Sequence, residues 1–313
     1  MEGGRVRYGK YRFILSFLAL PFVLYAIFVL SPYAQAFYIA LTDWQGFTSR
    51  ANFVGLANFV RLVQDPIFWI ALKNNLFLLI SIPIIVIVLA LFFSSMINFG
   101  GSGRGRKHRA GIRGVAGGRF YQVVYFFPSV LSVTVIAVLW QFIYEPKNGL
   151  LNGFLSAIGL SGAKQVWLGD SKTALAAVLG VSVWASVGFY VVLFTAAMGS
   201  VPRELYESCL LDGANRMQTF VHMTIPLIWD AIQVALVHLV IGALDTFALV
   251  QILTVGPGGP DNSTEVVALY LFDNAFTYSK FGYASAIGVA MFVLTLLLTV
   301  IAFRLSRRER VEY

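Results

Sequence analysis

Six long stretches of this chain carry almost no charge, and they constrain its fold more than any other feature. Phe13–Thr42 runs for 30 residues without a charged side chain, Leu76–Phe99 for 24, Phe120–Tyr144 for 25, Thr173–Pro202 for 30 and Phe281–Phe303 for 23. A further run from Ala231 is interrupted once, by Asp245, and is then uncharged to Pro260. A helix needs about 20 residues to cross the hydrocarbon of a bilayer. Only a helix or a closed barrel can satisfy its own backbone there. The expectation is an all-α integral membrane protein with six transmembrane helices, over about 13–42, 76–99, 120–144, 173–201, 231–254 and 281–303. The first run is too long for the h-region of a signal peptide, roughly 7–15 residues, so it reads as a retained span. Overall, 58% of the 313 residues are hydrophobic and 12% charged, about half the charge of an ordinary soluble domain.

The basic residues orient these spans. With six crossings, sixteen Lys and Arg fall on one side: four before the first span, six between spans two and three, Arg203 and Arg216, and four in the tail. Seven fall on the other side: Arg50, Arg61, Lys73, Lys147, Lys164, Lys172 and Lys280. The excess marks the cytoplasm, so both termini are expected there, with 1–12 an N-terminal segment and 304–313 a basic tail. The net charge of +8 therefore reflects topology, and nucleic acid is not an expected partner. The lone Cys209 excludes an internal disulfide and a cysteine metal site.

No nucleotide site is expected. Gly100 to Gly105 has phosphate-loop spacing, but Arg106 and Lys107 stand where Lys and Ser/Thr are required, and no strand precedes them. Gly100–Gly118 reads instead as a flexible basic linker near anionic headgroups. Gly256-Pro257-Gly258-Gly259-Pro260 is a turn cluster, and Asn262-Ser263-Thr264 fits the glycosylation pattern but reads more simply as a polar turn, since a three-residue pattern is frequent by chance.

One polar stretch does not read as a simple connector. Residues 202–228, between spans four and five, hold Glu204, Glu207 and Asp212 where the orientation rule asks for positive charge. Pro202 suits a first helical turn. Gly213 suits a left-handed C-terminal position and Asn215 an N-cap. Met217, Phe220, Val221 and Thr224 then share one helical face. The expectation is a helical hairpin that is either a docking element for a groove or a surface connector.

Within the spans, Asp245 is the sole carboxylate. A charge at mid-bilayer costs about 2.5–3.5 kcal/mol on insertion scales, so it should face a cavity or a partner. Trp184, Ser186, Tyr190 and Thr246 are close enough in topology to line a solute path with it. His238, seven residues earlier on nearly the same helical face, is either its partner or a polar contact between helices.

Glu207-Ser208-Cys209-Leu210-Leu211-Asp212-Gly213-Ala214, followed by Phe220 and Ile225-Pro226, resembles the EAA loop of binding-protein-dependent ABC importer permeases. Ser208 and Cys209 replace two alanines of that motif, and Asp230 stands near a frequent second proline. Trp184-Ala185-Ser186-Val187-Gly188-Phe189-Tyr190, Leu253–Pro260, Thr42-Asp43-Trp44, Gly55–Phe59 and Phe68-Trp69 resemble segments of the carbohydrate branch of that family. The resemblance implies a type I ABC importer permease fold and a non-catalytic sugar-transport subunit of a bacterial or archaeal cell membrane. It implies four kinds of partner: a second homologous permease, two cytoplasmic ATPase subunits that bind ATP and Mg, an extracytoplasmic sugar-binding protein, and membrane lipid. It implies no cofactor in this chain. Glu207, Asp212, Gly213, Ala214, Phe220 and Pro226 would form the coupling site. Glu207 would meet a basic residue in an ATPase groove, while Asp245 and its neighbours would hydrogen-bond and stack on a sugar. The alternative, an ion-coupled secondary transporter, calls for more intramembrane charges and an inverted repeat. A membrane enzyme calls for a nucleophile–base or carboxylate pair that the spans lack.

Overall fold

A computed structural model describes residues 3–47, 50–99, 115, 117–254, 256 and 258–305. The basic linker therefore lies almost wholly outside the described residues, as does most of the basic tail. The described chain is helical; an isolated bridge between Thr42 and Phe53 is its one β-contact. It divides into two units, 1–65 with 271–300 and 66–270 with 301–313.

In the first unit, α1 (Gly3–Tyr25) continues through a π-helical turn (Ala26–Leu30) into α2 (Ser31–Ile39). Ile14–Ile39 is long and apolar enough to cross a membrane, and none of its apolar window is buried. Tyr33 and Phe37 meet Phe292 at its far end, but a hydrophobic helix left this exposed is stable only in lipid or against another protein. The loop behind it is organised by amides. Asn58 Nδ2 donates to the carbonyls of Ala40 (2.9 Å) and Thr42 (2.8 Å), closing the chain ahead of α3 (Ala57–Gln64). Asn52 donates from its backbone N–H (2.7 Å) and its side chain (2.9 Å) to the Asp43 carboxylate. These bonds, the side-chain one foremost, hold the Asp43 carboxyl below its ordinary range. The final helix of the chain (Phe281–Leu305) begins against this loop, with Gly282 N–H donating to Trp44 O at 2.9 Å. A β-carbon at Gly282 would sit 2.0 Å from Thr42 O, so only glycine fits there. Tyr283 donates to Asp65 Oδ2 at 2.5 Å and carries the Arg61 guanidinium over its ring at 4.8 Å.

The second unit contains the longest helix, α4 (Pro66–Phe99). It is followed by α5 (Gly118–Val130), α6 (Val133–Ile143), α7 (Leu150–Ala157), α8 (Ala174–Ser200), α9 (Arg203–Leu211), α10 (Arg216–Thr219), α11 (Ile225–Leu227), α12 (Trp229–Leu244), α13 (Phe247–Leu253) and α14 (Val267–Phe272). The final helix is α15. Leu78, Val86, Val178, Val191, Phe194, Leu239 and Val250 are among the buried side chains that knit α4, α8, α12 and α13 into one core. Buried amides fasten the connecting loops. Asn152, 3% exposed, accepts from Trp167 Nε1 at 2.9 Å and donates to the carbonyls of Pro146 and Gln165. Asn74 donates to Glu265 O at 2.9 Å, and Asn75 accepts from the backbone N–H of Val267 at 2.7 Å.

Two of the charge-free runs are not single helices. The run 120–144 breaks after Val130, and α5 and α6 meet at 100°. Leu131 is extended, and Ser132 caps α6 by accepting from Val135 N–H at 3.4 Å. The run 231–254 breaks at Asp245-Thr246, between α12 and α13. Among the described residues, α4, α8 and the α1–α2 segment pass as straight spans by length and composition, and two bent helix pairs bring the total to five. Of α15, Phe281–Leu297 is a shorter apolar helix by that test.

Candidate functional site

The stretch 202–228 folds as a capped hairpin. α9 ends where Gly213 adopts φ +79°, and the Ala214 N–H reaches back to Cys209 O at 3.0 Å. This is the six-to-one bond of a Schellman cap, which requires a left-handed residue and hence favours glycine. Nothing lies within 4 Å of a β-carbon added at Gly213, so glycine is needed there for its φ and not for space. Asn215 and Gln218 then form a reciprocal capping box: Gln218 N–H donates to Asn215 Oδ1 at 2.9 Å, and Asn215 N–H to Gln218 Oε1 at 2.8 Å. The second arm passes through a π-helical turn, Phe220–Thr224, before Pro226 and the 71° bend into α12.

Tyr206 ties the hairpin to the bundle. It is 7% exposed, and its hydroxyl donates to Met198 O on α8 at 3.4 Å. Burial pushes this hydroxyl above its ordinary pKa. Of the expected coupling residues, Glu207, Asp212, Gly213 and Pro226 are exposed, while Ala214 and Phe220 are half-buried. Leu211 is 88% and Met217 70% exposed. The tip thus presents carboxylates interleaved with apolar side chains on a frame with satisfied ends. Ser208, at the first alanine position, donates to Glu204 O at 2.9 Å. Cys209, at the second, is half-buried.

A second feature lies between α5, α6, α8 and the α12–α13 break. It is a cleft of about 490 Å³. Ser186, Tyr190, Asp245 and Thr246 line it together, with Ser129 and His238. Trp184 does not line it. Its ring packs edge-on against Trp140, centroids 5.4 Å apart, on the side of α8 that faces the core. His238 Nδ1 pairs with the Tyr190 hydroxyl at 2.7 Å and not with Asp245. Phe189, exposed, lies 6.2 Å from the His238 ring. The hydroxyls of Ser129, Ser182 and Thr246 donate to carbonyls of their own turns, so they face the cleft as acceptors. The Asp245 side chain is exposed at the break and has no hydrogen-bond partner among the described residues. The cleft therefore offers acceptors, one imidazole and aromatic faces, which suits a neutral, hydroxyl-rich solute. Sequence reasoning did not find the Tyr190–His238 pair or Ser129. The pair joins two spans 48 residues apart, and its one local signal was the rarity of a histidine inside a span.

A glycine closes the cleft's wall. A β-carbon at Gly188 would lie 1.7 Å from Tyr125 O and 2.9 Å from Phe126 N, so α5 crosses α8 backbone to backbone. Small residues permit such crossings in membranes.

Residues 107–311 match the family described as binding-protein-dependent transport system inner membrane component. The chain belongs to that family. The permease is 42% identical over 312 residues to the diacetylchitobiose uptake system permease protein of Streptomyces coelicolor, covering 98% of this chain and 87% of that one. It is 28% identical to the trehalose/maltose transport system permease protein of Thermococcus litoralis, over 98% and 97% of the two chains. Its fold matches a bacterial ABC transporter involved in the import of the acidic polysaccharide alginate, with TM-score 0.78, 24% identity, and 97% and 99% coverage. The permease is accordingly a multi-pass transport subunit of a membrane, and catalysis belongs to a partner.

Proposed function

We propose that this permease forms half of the translocation path of an ATP-driven sugar importer in a bacterial or archaeal cell membrane. In this reading the chain crosses the bilayer six times with both termini in the cytoplasm, and a second homologous permease supplies the other half. Two ATPase subunits, which carry ATP and Mg, each take one such hairpin into a groove. An extracytoplasmic binding protein delivers the sugar. The observation that carries the coupling role is the hairpin: its ends are capped, Tyr206 ties it to α8 and its exposed tip mixes Glu207 and Asp212 with Leu211 and Met217. A rigid, anchored lever can pass a domain motion to the spans, whereas a loose loop absorbs it.

The relative from Streptomyces coelicolor is named for diacetylchitobiose uptake, which makes that disaccharide the first solute to test. The experiment co-expresses the permease with an ATPase subunit, a second permease and a binding protein from its own gene neighbourhood. Sugar-stimulated ATP hydrolysis and labelled uptake are then measured in proteoliposomes. Glu207→Lys is expected to insert and co-purify normally but to lose most stimulated uptake, since cutting one side of a buried charge pair costs about 2–5 kcal/mol. Normal transport by the assembled variant would remove Glu207 from the coupling role. Uptake driven by an ion gradient without the ATPase would instead favour a secondary transporter.

A further inference from the structure

A groove of about 520 Å³ runs between α4 and the second arm of the hairpin. Its floor is one face of α4: Val88, Leu91, Phe92, Ser95 and Met96 recur at helical three- and four-residue spacing. The Ser95 hydroxyl is turned onto Phe92 O at 2.7 Å, so the floor presents little polarity. Met217 and Phe220 form the opposite wall, and Arg216, exposed, is the one charged side chain along the groove among the described residues. Arg119, also exposed, belongs to the same end of the bundle, because Val115 N–H bonds Ile97 O just before α5 begins. The groove thus starts at a cationic mouth and runs inward along a span.

We propose that this groove seats the acyl chain of an anionic membrane phospholipid, with its phosphate held at Arg216. Charge favours a lipid over a protein segment: an apolar slot lined by a guanidinium at its membrane-surface end complements an anionic head on a hydrocarbon tail. A lipid in this slot would bridge α4 and the hairpin, so the anionic lipid content of the membrane would bear on the stiffness of the lever. The site depends only on the chain being embedded in a bilayer and is independent of which solute is carried.

The test uses the full-length chain purified in detergent with the subunits it retains, stripped of lipid and then titrated with phosphatidylglycerol or phosphatidylcholine. Bound lipid is counted by native mass spectrometry, and gel filtration verifies that each variant is monodisperse. The wild type should retain phosphatidylglycerol several-fold over phosphatidylcholine. Arg216→Gln should erase that preference. Leu91→Trp, or Ser95→Leu if the larger change misfolds, should lower retention of both lipids by filling the slot. Equal retention of the two lipids, or retention unchanged by every variant, would overturn the proposal. So would a crosslink from Met96→Cys, in a Cys209→Ser background, to the second permease, because the groove would then be a protein interface.

Discussion

At the scale of single residues, the positions that resist substitution are set by backbone proximity and by φ. Gly188 and Gly199 both lie on α8, yet a β-carbon at Gly188 meets Tyr125 O at 1.7 Å and one at Gly199 meets nothing within 4 Å. Gly188→Leu should therefore separate α5 from α8, an overpacking cost of about 1–3 kcal/mol or more, and lower the Tm of the purified chain by about 5 °C or more. Gly199→Ala, which only improves helix propensity, should leave the Tm level or slightly higher. A melting curve on each variant checks the pair. A second residue-scale prediction concerns pH. Asp43 accepts two bonds from Asn52, which depress its pKa. A depressed carboxyl contributes order that is present above the ordinary carboxylate range, near ~3.9, and is lost as pH falls through the lower folded value. Protection of the Asn52 amide against hydrogen exchange, corrected for intrinsic rates, should fall in that acidic window. Asp43→Asn should flatten the dependence. In the hairpin, Ser208 donates its hydroxyl proton to Glu204 O while remaining exposed, and Cys209 is half-buried, so both small side chains fill the alanine positions.

At the scale of elements, the hairpin shows what local sequence can specify. Gly213 and Asn215 were legible as a C-terminal turn and an N-cap because both roles depend on a single residue's own dihedral and side chain. The reciprocal arm of the cap, Gln218 to the Asn215 N–H, follows from the three-residue spacing. A double-mutant cycle should expose it. Asn215→Ala alone should cost about 1 kcal/mol of stability. Gln218→Ala should cost less, and the two costs should fall short of adding, because each side chain serves the same helix start. Chemical denaturation of the purified chain measures all three, and strict additivity would show that the two bonds act separately. The three straight apolar helices were legible for a different reason: absence of charge is a bulk property that survives any rotation of the helix. The breaks inside the other runs were not. At Leu131-Ser132 nothing in a hydropathy count distinguishes a serine that caps a new helix from one that continues the old, and the 100° bend between α5 and α6 is decided by that choice. At Asp245 the run's lone carboxylate coincides with the break as the C-cap residue of α12, and its exposure to the cleft lets the side chain avoid the apolar core.

At the scale of the whole molecule, the cleft depends on groups that no local pattern joins. Ser129 comes from α5, Ser186 and Tyr190 from α8, His238 from α12, and Asp245 and Thr246 from the break that follows it. The sequence placed four of these near one another through span order alone. It also grouped Trp184 with them, since a helix in lipid gives little sign of which face meets a neighbour. The structure turns Trp184 toward Trp140 and the core. This separates two effects that a simple scan of polar and aromatic residues would merge. If the cleft carries solute, Asp245→Ala removes a hydrogen-bond acceptor that carries charge, an interaction worth about 1.5–3 kcal/mol. The KM for uptake should rise about tenfold or more, while the melting temperature stays near that of the wild type because Asp245 is exposed at the break. Trp184→Phe should do the reverse. Losing part of an aromatic pair worth about 0.5–1.5 kcal/mol beyond its buried area should lower the melting temperature and leave the KM close to unchanged. Tyr190→Phe is intermediate, because it keeps the ring and cuts the 2.7 Å bond to His238. It should raise the KM by less than Asp245→Ala does and lower the melting temperature slightly, because the hydroxyl that joins α8 to α12 is lost while the ring stays packed. Kinetics and melting curves on these three variants in proteoliposomes decide the matter. A KM that ignores Asp245 and Tyr190 but follows Trp184 would move the solute path out of this cleft and onto the opposite face of α8.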